Sequence, residues 1–206
     1  MIPLSVFALF LWVLYFCLRV RVSGSDILDS AMLGVGGVGF VALIKAGILW
    51  PYVVDWRITA IIVSPVIEEL IRDFLTYYTA RSSRSIRAIG FQSISVGGGF
   101  ALAETVVYGL YYASCGGTIS GIMVVLMRTP ILLIGHPLFS LIFGISLFRK
   151  RPYVGMLVGI VFHMAWNAAV IYLPIHFLIV LSAGYFVVLF ISIREMFYPE
   201  QQKINK

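Results

Sequence analysis

The chain has 206 residues, of which 61% are hydrophobic and 12% are charged, and its mean hydropathy is +1.00. A soluble globular domain carries about 25% charged residues, so this composition excludes that class and indicates a membrane protein. The net charge of +6 does not indicate a nucleic-acid partner, because lysine and arginine cluster at the ends of apolar segments, where orientation signals stand.

Apolar segments of roughly 17–25 residues recur along the whole chain, which is the length of α-helical membrane spans. The first segment is followed by Arg19 and Arg21 instead of a small-residue cleavage site, so we interpret it as a retained span. No stretch is long enough for a separate soluble domain, and we predict one membrane-embedded domain over residues 1–206. The predicted fold is all-α, a polytopic transmembrane helix bundle of about seven spans: 2–18, 29–50, 58–79, 88–113, 118–148, 153–173 and 175–193.

The basic clusters predict the orientation of these spans in the cell membrane. The positive-inside rule puts the N-terminus outside and the C-terminus in the cytoplasm. Lys45 lies near enough to the end of the second span to snorkel to the interface. The fifth segment is longer than one bilayer thickness and contains Pro130 and Pro137, so it is either one kinked helix or two broken halves.

Five ionisable side chains stand deep inside apolar segments. Glu68 and Glu69 are adjacent in the third span, and Glu104, His136 and His163 lie in three other segments. Ionisable groups at that depth cost about 2.5–3.5 kcal/mol each on insertion scales, so they are expected to face a cavity and carry function. Counted from the two membrane faces at 1.5 Å per residue, all four clusters reach about the same depth. We therefore predict that they meet in one pocket near the middle of the bilayer.

Each cluster also repeats a spacing of four residues, which puts two side chains on one helical face. The pairs are Glu68 with Arg72, Glu104 with Tyr108, His136 with Ser140 and His163 with Asn167. Taken singly, an intramembrane histidine is more often a hydrogen-bonded helix contact than a ligand, and a carboxylate can be merely structural when an arginine neutralises it. Three glutamates and two histidines at one depth favour a chemical site.

Four motifs carry a resemblance to a known family. They are Glu68-Glu69-Leu70-Ile71-Arg72, Phe100 to Tyr108 with Glu104, Gly135 to Ser140 with Phe143-Gly144, and His163 to Asn167. In order and spacing the chain resembles the PrsW family of intramembrane metalloproteases, within the type II CAAX prenyl endopeptidase superfamily. The resemblance covers residues 60–170, and the expected catalytic core is about 58–170. Arg72 replaces the usual lysine of the family, and Thr105 replaces a common asparagine.

The resemblance and the chemistry together imply an intramembrane endopeptidase. Glu68 is the expected general base, Glu69 its partner or a ligand, Arg72 the charge partner of Glu68, and Asn167 a donor to the oxyanion. Glu104, His136 and His163 are the expected ligands of Zn²⁺, because the chain has only two cysteines and its metal chemistry must use nitrogen and oxygen. A metal-free mechanism, in which Glu68 and Glu104 activate water directly, stays open. The expected substrate is a membrane-anchored protein such as an anti-sigma factor.

Two other classes of function fit the same set of glutamates and histidines. A multipass scaffold subunit without catalysis would be expected to lose one or more of the acidic motifs, and all of them are present here. A proton-coupled transporter could use glutamate and histidine as a relay, but it often shows an internal repeat with paired broken helices. The sequence has no convincing repeat of that kind, so the protease is the preferred hypothesis.

Overall fold

The computed structural model describes residues 24–49 and 55–204, and the predicted first span lies outside these residues. The described residues contain helices and no strand. Two short π-helical segments, Lys45–Leu49 and Thr59–Val63, flank the connection between the first and third helices. The α-helices are α1 Gly24–Ile44, α2 Trp56–Ile58, α3 Ser64–Ala80, α4 Ile86–Gly116, α5 Thr118–Phe148, α6 Pro152–Tyr172 and α7 Ile175–Ile204.

Three of the described helices have the length and composition of membrane spans. Gly24–Gly47, Ile86–Gly116 and Pro152–Tyr172 are each long and apolar enough to cross a bilayer, and Ile134–Phe148 and Val180–Arg194 are shorter apolar helical stretches. Large apolar side chains also cover the outside, as with Leu43 at 71% and Leu110 at 68% exposed, a surface suited to lipid. The predicted all-α membrane helix bundle is confirmed, whereas the first span and the orientation stay predictions.

The third and fifth predicted spans differ in how regular they are. The predicted helix 58–79 is divided, with Thr59–Val63 forming a π-helical turn before α3. Pro65 stands in the first turn of α3, directly after this π-helical segment. The fifth segment is one continuous helix through Pro137, so the alternative of two broken halves is wrong.

Helices α4 and α5 form the centre of the bundle. A single residue connects them, Gly117, whose φ of +82° allows the chain to reverse in one step. A Cβ atom added at Gly97 would lie 2.5 Å from the carbonyl oxygen of His136 and 2.7 Å from Cα of Pro137, so the two backbones touch at this level. The close approach holds His136 at a defined position beside α4. Helix α3 packs against both α4 and α5, and α6 packs against α5.

Candidate active site

Helix α3 presents its polar side chains to the interior and its apolar side chains to the outside. Leu70, Phe74 and Tyr77 are 47%, 65% and 45% exposed. This arrangement is the reverse of a water-soluble amphipathic helix and is expected where lipid is the solvent. The interior stripe repeats every three or four residues and consists of Pro65, Glu68, Glu69, Arg72, Asp73, Thr76 and Ala80.

Arg72 lies at the centre of the candidate site and is completely buried. Its Nη2 donates to Oε2 of Glu69, and its Nη1 lies 2.6 Å from Nδ1 of His136. The guanidinium also packs against the rings of Phe100 and Phe139, with Cζ 5.8 and 5.5 Å from their centroids. The predicted pairing of Arg72 with Glu68 is therefore wrong. The Arg72 side chain that reaches His136 on α5 contacts Glu69, three residues before it.

Glu68 has a different cation, which sequence reasoning missed. Lys45, in the π-helical turn after α1, forms an ion pair through Nζ with Oε1 of Glu68, and Ser64 Oγ donates to the same oxygen at 3.1 Å. The other oxygen, Oε2, lies 3.5 Å from Nε2 of His163. The interpretation of Lys45 as a snorkelling residue is wrong, because the packing of α1 against α3 directs its side chain inward. The available signal was a lysine inside an apolar span.

The two histidines face each other, with ring centroids 5.3 Å apart. His163 Nδ1 lies 2.6 Å from Oε1 of Glu69, and His136 Nε2 lies 2.7 Å from Oε2 of Glu104. Arginine can only donate, so Arg72 makes Nδ1 of His136 an acceptor and assigns the ring hydrogen of a neutral His136 to Nε2, facing Glu104. On His163, a hydrogen on Nδ1 donates to Glu69 and leaves the Nε2 lone pair facing Glu68. The two imidazoles thus present opposite nitrogens to the site.

Asn167 is held slightly apart from this cluster. Its Nδ2 donates to the backbone carbonyl of Ala60, at 2.8 Å, in the π-helical segment before α3. The contact ties α6 to the segment that carries Ser64 and Glu68. Its expected role as an oxyanion donor stays a prediction, because one amide hydrogen is already used to hold this backbone.

The donor groups fit a divalent cation. Two overlapping sets of ligand atoms lie within 4.8 Å of one another, Glu69 with His136 and His163, and Glu68 with Glu104 and His136. Neither set is the predicted trio of Glu104, His136 and His163, although both share His136. The described site also has three carboxylates, Glu68, Glu69 and Glu104, against two cations, Lys45 and Arg72. A divalent cation would balance the excess of negative charge.

A small pocket opens beside the histidines between α5 and α6. The ring of Phe139 stacks on His163 at a centroid distance of 5.6 Å and an interplanar angle of 26°. Apolar walls around two imidazoles exclude bulk water and strengthen the electrostatic interactions inside. The residues lining the pocket are Leu132, Gly135, His136, Phe139, His163 and Trp166.

The fold and the site together define an all-α membrane protein with a buried centre of carboxylates and imidazoles. The family model described as PrsW family intramembrane metalloprotease matches residues 26–193. The chain belongs to this family of intramembrane proteases. A search of curated proteins and a search of solved structures each found no match.

Proposed function

We propose that the protein is an intramembrane endopeptidase that hydrolyses a peptide bond of a membrane-anchored protein, with Glu68 as the general base. One observation carries the assignment, the unequal surroundings of the two oxygens of Glu68. Lys45 and Ser64 occupy Oε1, whereas Oε2 lies 3.5 Å from Nε2 of His163. A base must have one oxygen free to accept the proton of water while the rest of the group is held in place.

The neighbouring residues position this base. Arg72 holds Glu69, Glu69 in turn orients His163, and Lys45 compensates the charge of Glu68 in a nearly dry environment. His136 joins Arg72 to Glu104, so the polar groups of α3, α4 and α5 move as one unit. Geometry held this rigidly lowers the reorganisation needed at the moment of reaction. After accepting a proton from water, Glu68 is placed to return it to the leaving amine.

We propose a divalent cation, Zn²⁺, as the cofactor, on the strength of the donor chemistry and the charge balance. Glu69, His136 and His163 would hold it, because the alternative set of Glu68, Glu104 and His136 would use the proposed base as a ligand. When bound, Zn²⁺ supplies a polarised carbonyl and an acidified water. With both imidazoles neutral, His163 can ligate the metal through the lone pair of Nε2. His136 carries its hydrogen on Nε2 and would have to lose it before that nitrogen could ligate.

The proposed partner is a single-span protein in the same bilayer, and an anti-sigma factor is the kind of substrate suggested by the family. The wide apolar exterior leaves room for a substrate helix to approach through lipid. We propose no nucleic-acid partner, because the basic residues of the sequence stand in short clusters at the ends of apolar segments. We further propose a multi-pass location in the cell membrane, with the N-terminus outside and the C-terminus in the cytoplasm.

A carboxylate-to-amide substitution tests the base. Glu68→Gln keeps the shape of the side chain and removes its basicity, so cleavage of a tagged single-span anti-sigma-type protein in proteoliposomes should fall by about 10²-fold or more. Asp29→Asn is the matched control, because Asp29 is an exposed carboxylate on α1 and its amide should leave cleavage unchanged. Undiminished cleavage by Glu68→Gln would remove the proposed base. A folded wild-type protein that cleaves no anchored substrate would favour a scaffold.

The metal is tested separately from the base. Elemental analysis of the purified, active protein should find zinc at one equivalent, and His163→Ala should lose it. Active protein without stoichiometric metal would support direct activation of water by glutamate.

A further inference from the structure

A second group of buried polar side chains lies next to the candidate site. Asp73 and Thr76 on α3 and Ser140 on α5 are 3%, 0% and 0% exposed. Both carboxylate oxygens of Asp73, both hydroxyls, and Nε of Arg72 lack a hydrogen-bond partner among the described residues. Buried polar groups are nearly always satisfied by protein or by ordered water, and each one left unpaired costs about 1–3 kcal/mol.

The three side chains form one layer, a helical turn beyond the site. Asp73 follows Glu69 by four residues, Thr76 follows Arg72 by four, and Ser140 follows His136 by four. Helices α3 and α5 each run antiparallel to α4, to which each is joined by a short connection, so they run parallel to one another. Because Arg72 contacts His136, the next turns of the two helices also lie side by side. Nε of Arg72, four residues before Thr76, is also without a hydrogen-bond partner among the described residues.

The layer leads toward the loop between α3 and α4. Measured along α3 at 1.5 Å per residue from its end at Ala80, Glu69 lies about 16 Å from the loop, Asp73 about 10 Å and Thr76 about 6 Å. Gln92 on α4, buried about 9 Å from the start of that helix at Ile86 and so at a depth between Thr76 and Asp73, accepts a hydrogen bond of 2.9 Å from Ser83 of the loop. Polar groups therefore continue from the site to the surface of the protein.

We propose that Asp73, Thr76 and Ser140 bind a chain of buried water that joins the candidate active site to the surface at the α3–α4 loop. A buried water typically makes about three hydrogen bonds, and one carboxylate with two hydroxyls offers the acceptors and donors that it needs. The outer face of α3 is apolar, so water has no equivalent route from the lipid side. The role of this chain in supplying the water consumed by hydrolysis rests on the proposed function, whereas the hydration itself does not.

The experiment compares two buried serines that differ in their hydrogen bonding. In a background with both native cysteines replaced by serine, Ser140→Cys and Ser93→Cys are made in the full chain. Ser93 is the matched control because it is also 0% exposed, yet its hydroxyl already donates to the carbonyl of Ile89 at 2.6 Å. Each variant is reconstituted in liposomes, without substrate, and treated from either side with a charged, membrane-impermeant methanethiosulfonate. Only a hydrated thiol ionises and reacts.

We expect Ser140→Cys to react at least about tenfold faster than Ser93→Cys, and only from the side of the α3–α4 loop. Adding Asp73→Leu should slow that reaction severalfold, whereas adding Asp73→Asn should preserve it. Equal, slow reaction of the two cysteines would show a dry layer and overturn the proposal, as would reaction from the opposite side. The labelling assay contains no substrate, so its result does not depend on proteolysis. If Ser140→Cys labels fast but the wild-type protein cleaves no anchored substrate in the separate cleavage assay, the proposed function is contradicted and the hydrated layer is still supported.

Discussion

Replacement of Lys45 tests whether α1 belongs to the site. Lys45→Met keeps most of the side-chain volume and removes the cation, which leaves Glu68, whose side chain is 6% exposed, beside the Ser64 hydroxyl at 3.1 Å and Nε2 of His163 at 3.5 Å. Breaking a buried ion pair by removing one partner costs about 3–5 kcal/mol, and the exposure of the Lys45 side chain reduces that figure to about 2–3 kcal/mol. We expect the free energy of unfolding in mixed micelles to fall by that amount, and cleavage by more than tenfold.

Two further variants separate charge from packing. Lys45→Arg retains a cation and should recover most of the stability and cleavage. The double variant Lys45→Met with Glu68→Gln should be more stable than Lys45→Met alone, because the amide no longer leaves an uncompensated charge in the interior. If Lys45→Met unfolds and cleaves like the wild type, then Lys45 contributes nothing to the site and its ion pair with Glu68 is incidental.

Three further predictions concern packing, charge and topology. Gly97→Ala should lower the free energy of unfolding, measured by denaturation, by about 1–3 kcal/mol, because its Cβ would lie 2.5 Å from the backbone of His136. Gly98→Ala has open space around its Cβ and should be neutral in the same assay. Arg72→Leu should abolish both folding and cleavage by removing the cation that pairs with the buried Glu69, while Arg72→Lys should fold and retain part of the activity; equal behaviour of the two variants would contradict the central role of the cation. A reporter fused after Arg84 should read as cytoplasmic, and an external reading would overturn the predicted orientation.

Much of the fold followed from composition and periodicity. In a bilayer every backbone polar group must be satisfied within its own segment, so long apolar runs can only be helices, and their approximate bounds are readable from the sequence. The same physics identified the candidate site, since ionisable groups are too costly at membrane depth to be accidental. Glu68, Glu69, Glu104, His136 and His163 were selected in this way, and the tertiary structure brings all five together.

The partners of these charges could not be predicted from the sequence. Sequence spacing placed Arg72 on the same helical face as Glu68, but it also allows a contact with Glu69, and only the packing of α3 against α5 selects Glu69. Lys45 reaches Glu68 from 23 residues away because α1 docks on α3. The sequence alone therefore determined a membrane-embedded helical protein and five ionisable residues that meet in its interior, since burial in lipid penalises every unneeded charge. The tertiary structure decided which of those charges neutralise one another, because that depends on the rotation and docking of whole helices, which local spacing leaves free.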